Sequence, residues 1–472
     1  MEVESGALHY FADDHAHQLV DDDGRPSRTG TQWTATAHII TAVVGAGVLS
    51  LAWAMAQLGW LIGLTTIFAF AAVTLYAANL LADCYRSPDP VSGKRNYSYM
   101  ATVKNILGGK QYIFCAIVQY GNLAAFAIGY TITTSLSVVA IRKINCYHYK
   151  MEGESCRYSN NPYMIVFGIV EIVLSQIPSF HKLSWLSIIA AVTSVGYASI
   201  GAGLSFATII KGKGSKTSFT GSNPDQTPAD RAWNMLVALG NIALASTYSQ
   251  LVIDIEDTLK SSPPENETMK KANRNGIVTM TIMFLLCSCS GYAAFGPHTP
   301  GSILMASGFH EPFWLVDLAN VLIVVHLVGA YQVITQPIFR VVETIAGQKW
   351  PNTAFVTKEY RVSIGKKKLN MNMLRLVWRT IFVVVVTVLG MAMPFFNDML
   401  ALLGAIGFWP SVIYFPVEMT IARQKLQKRS LYWFGLQTLN FFCFLVSLAA
   451  ACAAIHGISR AMGRFKPFMY KE

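Results

Sequence analysis

The chain has 472 residues, 53% of them hydrophobic and only 13% charged, against about 25% charged residues in a typical soluble domain. Several apolar runs reach the roughly 20 residues that a helix needs to cross a bilayer, which excludes a soluble globular protein and points to an all-α polytopic membrane protein. In that class a formal charge of +11 reflects basic loops on one side of the membrane, not a nucleic-acid partner.

Residues 1–32 are polar and carry Asp13, Asp14, Asp21, Asp22 and Asp23; they read as a mobile acidic tail. Eleven spans follow within 33–457, at roughly 33–58, 60–84, 112–141, 162–178, 184–210, 232–258, 275–296, 312–342, 373–394, 396–422 and 431–457. Gly59, Pro178, Pro297 and Pro394 punctuate the joins. With the N-terminus inside, loop lysines and arginines divide about two to one in favour of the cytoplasmic side. This orientation places the tail at 458–472 outside, along with the loop holding Cys146 and Cys156. A disulfide is plausible in such an exterior loop. The sequons at Asn96 and Asn266 then face the cytoplasm and stay unglycosylated. Segment 94–110 is too polar to span; an amphipathic surface helix and a solvated loop are equal readings. The long interior connection 343–371 carries Lys366, Lys367 and Lys368, which reinforce topology or touch anionic lipid.

Span one contains TAVVGAGVLSLAW, with Gly45 and Gly47 one residue apart. Glycine disfavours a helix by about 1 kcal/mol relative to alanine. A helix that opens in a membrane leaves bare main-chain groups, tolerated only against protein or a water-filled cavity. A half-helix N-terminus there offers N–H groups to an anion; close helix packing by small residues is the structural alternative. Span six is interrupted in a corresponding place, at Gly240–Gln250, and Asp254, Glu256 and Asp257 follow near its cytoplasmic end. Paired interruptions in spans one and six indicate two groups of five spans with a site between them.

Ionisable groups inside spans are functional candidates by default. His38, His326, Asp317 and Glu171 are the candidates for carrying a proton; a neutral histidine bonded to a neighbouring helix is the alternative for His38. Tyr120 and Asn122 in span three line a polar pathway or bond between helices. Gly45-Ala46-Gly47 is no dinucleotide fingerprint, because it lies within an apolar span. No Walker-type loop, nucleophile–base pair or metal-ligand cluster stands out, so neither an enzyme nor a resident cofactor is expected.

The ordered set AHIITAVVGAGVLSLAWAMAQLGW (37–60), KRNYSYM (94–100), QYGNL (119–123), LSQIPSFHKLSWLSI (174–188), DTLKSSPPEN (257–266), GYAAFG (291–296), EPFWLVDLAN (311–320), VHLVGAYQVITQPIF (325–339) and FWPSVIYFPVEM (408–419) resembles the plant amino acid permeases. These belong to the amino acid/auxin permease family of the amino acid-polyamine-organocation superfamily. The resemblance implies a leucine-transporter-type 5+5 inverted repeat with broken helices 1 and 6 and an eleventh helix. It also implies a proton-coupled amino acid importer in a plant plasma membrane, with amino acids and lipid as partners, protons as the coupling ion and Cys146–Cys156 bridged. The span-one break falls at Val43, Val44, Gly45, Ala46 and Gly47, and the span-six break at Leu244, Ala245, Ser246, Thr247 and Tyr248. With Tyr120, Asn122, Asn241 and His326 these form the expected substrate site. Two residues depart from the family: Asn241 stands where an aspartate is common (GNIALASTYS against GDIAFAYAYA), and Glu171 replaces a neutral glutamine. A non-transporting amino acid sensor, an auxin-type carrier and a channel are the competing readings.

Overall fold

The computed structural model describes residues 20–25, 27–43, 45, 47–149, 156–176, 184–221, 226–305, 308–364, 367–392 and 396–464. Span one begins as α1 (Gln32–Val43) and resumes as α2 (Gly47–Ala82), which also carries span two. The join predicted at Gly59 is a corner within α2, where the residue adopts φ 73° and ψ 177°. A Cβ there would lie 2.2 Å from the Gly221 nitrogen, so only glycine satisfies both the left-handed backbone and the close approach of that loop.

Span three is α4 (Gly109–Tyr149), span four α5 (Asn161–Ser175) and span five α6 (Ser184–Ile210). Span six runs as α7 (Pro228–Ala245), opens, and ends in the short α8 (Val252–Glu256). Spans seven and eight are α9 (Glu265–Phe295) and α10 (Phe313–Lys349). Span nine is α12 (Met373–Ala392), and span eleven α15 (Leu431–Arg464). Span ten, predicted as one helix, is divided: α13 (Phe396–Phe408) passes through a π-helical turn at Trp409–Tyr414 into α14 (Phe415–Arg423). Pro416, five residues after Ser411, has no N–H to give the helix ladder. The Ser411 carbonyl of the turn accepts instead from the Tyr99 hydroxyl at 2.7 Å, and its hydroxyl accepts from Gln250 at 2.9 Å.

The spans share two main buried bodies, with α4 and α10 contributing to both. One centres on α1, α2, α7 and α9, with Ile39, Leu51, Met55, Ile242 and Met280 buried together. The other joins α4, α5, α10 and α12 around Ile132, Met164, Phe167, Tyr331 and Val383. Lipid supplies no hydrophobic drive between helices, so close packing carries the association. A Cβ on Gly291 would meet Ala52 at 2.5 Å, and one on Gly276 would meet Ile39 at 2.7 Å. The tightest of the helix contacts lies between α7 and α13: a Cβ on Gly404 would sit 2.0 Å from the Gly240 carbonyl oxygen.

The face that carries the N-terminal segment has its own structure. The 94–110 segment is a surface helix, α3 (Tyr99–Leu107), capped by the Ser98 hydroxyl and burying Tyr99, Thr102 and Val103. The two sequon amides are engaged: Asn96 donates to the Cys84 carbonyl and Asn266 to Asp83. The long connection after α10 folds α11 (Ala354–Thr357) and an antiparallel hairpin of Glu359–Ile364 with Lys367–Asn372; Lys366 and the join residues Pro178 and Pro394 lie outside the described residues. At the opposite face Cys146 and Cys156 form a disulfide.

Replacing Gly404 by valine forces two helix backbones apart, at a cost of about 1–3 kcal/mol or more. Gly404→Val is expected to lower the midpoint of thermal size-exclusion profiles by several degrees. Gly435→Val, where a Cβ meets nothing within 4 Å, is expected to leave it in place.

Candidate ligand-binding site

Both interruptions expose main chain, by different routes. At the first, the Gly45 N–H bonds the Val43 carbonyl at 2.8 Å, and the Gly45 carbonyl accepts from Val48 at 3.1 Å. The N–H groups of Gly45 and Val48 are therefore engaged within the break, and the N-terminal end of α2 carries the remaining first-turn N–H groups, which a helix leaves without intrahelical acceptors. Val44 and Ala46 lie outside the described residues. At the second, α7 ends with the Ser246 N–H shared between the Ile242 and Ala243 carbonyls. Tyr248 departs at φ −139°, and a 3₁₀ turn at Ser249–Leu251 leads into α8. No backbone N–H of the described residues donates to the carbonyls of Ala245, Ser246 or Thr247.

The two openings face one cavity of ≈ 260 Å³. Its walls are Val43, Gly45 and Gly47 from span one and Leu244, Ala245, Thr247 and Tyr248 from span six. Gln119, Phe126 and Tyr130 of α4, Val333 and Pro337 of α10, and Leu400 and Leu403 of α13 complete it. The N-terminal end of α2 and the C-terminal end of α7 thus meet at the same space. A helix carries about half a positive charge at the first and half a negative charge at the second. The arrangement suits a small zwitterion. Tyr248 forms wall with its ring while its hydroxyl donates to Asn273 at 3.2 Å.

A second cavity of ≈ 360 Å³ shares Ala42, Gly45, Tyr130, Asp254, Val333 and Ile334 with the first and extends past His38, Thr41 and Thr258 towards the N-terminal face. His326 lines this passage. Its Nδ1 lies 3.1 Å from the Ala190 carbonyl oxygen and 3.1 Å from the Ser194 hydroxyl. A carbonyl only accepts, which places a hydrogen on Nδ1 and leaves Nε2 as an acceptor. Asp254 was passed over by the sequence reading. Its signal is spacing: Leu251, Asp254 and Thr258 recur at helical intervals and all line the passage.

Other expected site residues lie elsewhere. Tyr120 lines neither of these two cavities, and Asn122 packs its amide into the space left by Gly407. Asn241 is fully buried in α7 before the break, and the Ser246 hydroxyl bonds back to Ile242. Glu171 is fully buried in the second body, where Gln332 donates to it at 2.6 Å. Asp317 accepts from Asn145 at 2.5 Å, near the face opposite the N-terminal segment. A separate cavity of ≈ 350 Å³ lies between α7, α13 and α15, lined by Asp230, Trp233, Asp398 and His456, away from both breaks.

The acidic segment read as mobile is, at residues 20–25 and 27–31, bound beside Thr258, a wall residue of the passage. Arg28 pairs with Asp21, Asp23 and Asp257 at 2.8–2.9 Å. Arg86 and Arg95 join Asp22 to Glu265. Gly30 exchanges backbone bonds with Thr258 and Lys260. The Arg86 guanidinium holds the Asp22 carboxyl below its ordinary range, and Arg28 does the same for Asp23. A depressed carboxylate contributes stability above its unfolded value and loses it as pH falls through the lower folded one, so this clasp persists at any pH above about 4.

The family model for "Transmembrane amino acid transporter protein" matches residues 28–460. Among proteins of Arabidopsis thaliana, "Amino acid permease 8" is 52% identical, over 99% of this chain and 97% of its own length. "Amino acid permease 1" is 51% identical over 99% and 96%. Among solved structures, "Inward facing conformation of Mhp1" superposes with a TM-score of 0.55 at 15% identity, covering 96% of both chains. That likeness shows the fold, a leucine-transporter-type arrangement with interrupted spans one and six and an appended eleventh helix.

A Cβ on Gly45 meets nothing within 4 Å, and its φ lies outside the left-handed region. Gly45→Val therefore fills the cavity without straining the backbone. The expected outcome is normal expression with at least a tenfold rise in KM for whatever ligand the cavity takes, read from concentration-dependent uptake.

Proposed function

Since this chain belongs to the transmembrane amino acid transporter family, we propose that it is a proton-coupled amino acid symporter, importing its substrate across the plasma membrane by alternating access. The observation that carries this reading is the single cavity shared by two opposed helix ends. The substrate carboxylate takes the first-turn N–H groups of α2 other than that of Val48, and the ammonium takes the carbonyls of Ala245–Thr247. Both are fixed dipoles that need no rearrangement when the zwitterion arrives. The substrate side chain takes the rest of the cavity, walled by Gln119, Phe126 and Tyr130 on α4 and by Asp254 on α8. The relatives' printed names, amino acid permeases, support the substrate class.

The clasped face is cytoplasmic in this account, in keeping with the excess of basic residues there. The passage past His38 and Thr258 is then the route of release. Of the four proton candidates, His38 and His326 line that route, whereas Glu171 and Asp317 do not reach it. His326 keeps Nε2 as the acceptor for the coupled proton. Proton and substrate sites then act as linked equilibria, each raising the other's affinity by the same factor.

The test is uptake of labelled amino acid by transporter-deficient yeast. Uptake is expected to rise several-fold as external pH falls from 7.5 to 5.5 and to collapse with a protonophore. Uptake indifferent to both treatments contradicts proton coupling.

A further inference from the structure

We propose that Asp254 admits amino acids with a cationic side chain, lysine and arginine among them, by pairing with that charge while the two breaks hold the zwitterionic end. The inference rests on the transport reading above and adds the substrate class. Asp254 lines both the central cavity and the passage, and its carboxylate meets no donor among the described residues. Its neighbours differ. Asp257 is held by Arg28 and by the Tyr85 hydroxyl at 2.7 Å. Glu256 is fully buried and lines neither cavity. Asp83 and Glu265, nearby on the same face, pair with Lys270 and with two arginines.

Of the described wall residues none is lysine or arginine; besides Asp254 the ionisable ones are His38, His326 and tyrosines. A lone carboxylate on a narrow wall favours positive charge in the space it faces. Asp254 lines the same cavity as Ala245 and Thr247, so a substrate whose zwitterionic end sits at the breaks extends a long cationic side chain towards it.

Uptake of labelled alanine and lysine by yeast expressing the full chain tests this. Wild-type protein is expected to carry both. Asp254→Asn is expected to raise the ratio of lysine KM to alanine KM tenfold or more, and Asp254→Glu to hold it within about twofold. Should the asparagine variant carry neither, equilibrium binding of the two labelled amino acids to purified protein supplies the same ratio. An unchanged ratio overturns the proposal, as does wild-type alanine uptake that lysine neither joins nor inhibits. Wild-type protein that carries neither amino acid contradicts the transport reading itself.

Discussion

A bilayer offers no water to a peptide group, and the architecture follows from that. Main-chain N–H and C=O groups within it must bond inside a helix or face protein or a wetted cavity. This chain breaks two helices at matching places, α1 to α2 and α7 to α8, and turns both breaks onto one cavity. The ends that meet there carry opposite partial charge. A site with matched poles is thereby assembled from main chain, with no lysine or arginine among its described walls.

Packing makes this possible. α4 and α10 contribute to both main cores, Ile144 and Leu327 to the one built on α2 and α9, and Ile132 and Tyr331 to the other, and both helices give walls to the cavity. Glycine contacts let α7 approach α13 at backbone distance, which fixes where span six opens. At the clasped face, Arg28, Arg86 and Arg95 tie the N-terminal segment to the ends of spans six and seven. The clasp lies beside Thr258 on the passage wall, so parting α1 from the end of span six there breaks the Arg28–Asp257 pair. Acid on the opposite side of the membrane does not loosen it.

The fold was largely legible because its signals are local. Apolar runs give the spans, and Gly45, Gly47 and the polar stretch at Gly240–Gln250 mark the openings. The site was half legible. Main-chain positions at the breaks fall on the cavity because a break must face one. Side chains nearby depend on helix rotation, which local sequence does not specify. Hence Gln119 and Tyr130 line the wall while Tyr120 and Asn122, one to three residues from Gln119, do not. Glu171 drew attention as a charge in a span, yet its partner Gln332 lies 161 residues away. The clasp was missed because Asp21–Asp23 read as solvated until Arg86 and Arg95 arrive from a distant loop. The π-helical turn at Trp409–Tyr414 was missed because Pro410 reads as a kink and not as a change of helical pitch.

The central claim is that opposed main-chain ends grip both poles of a zwitterion. Affinity measured for a transported amino acid and for its two analogues, one lacking the carboxylate and one lacking the ammonium, tests it directly. The account predicts that each analogue binds at least a hundredfold more weakly than the parent, a loss of about 2.8 kcal/mol. An analogue that binds as tightly as the parent contradicts it.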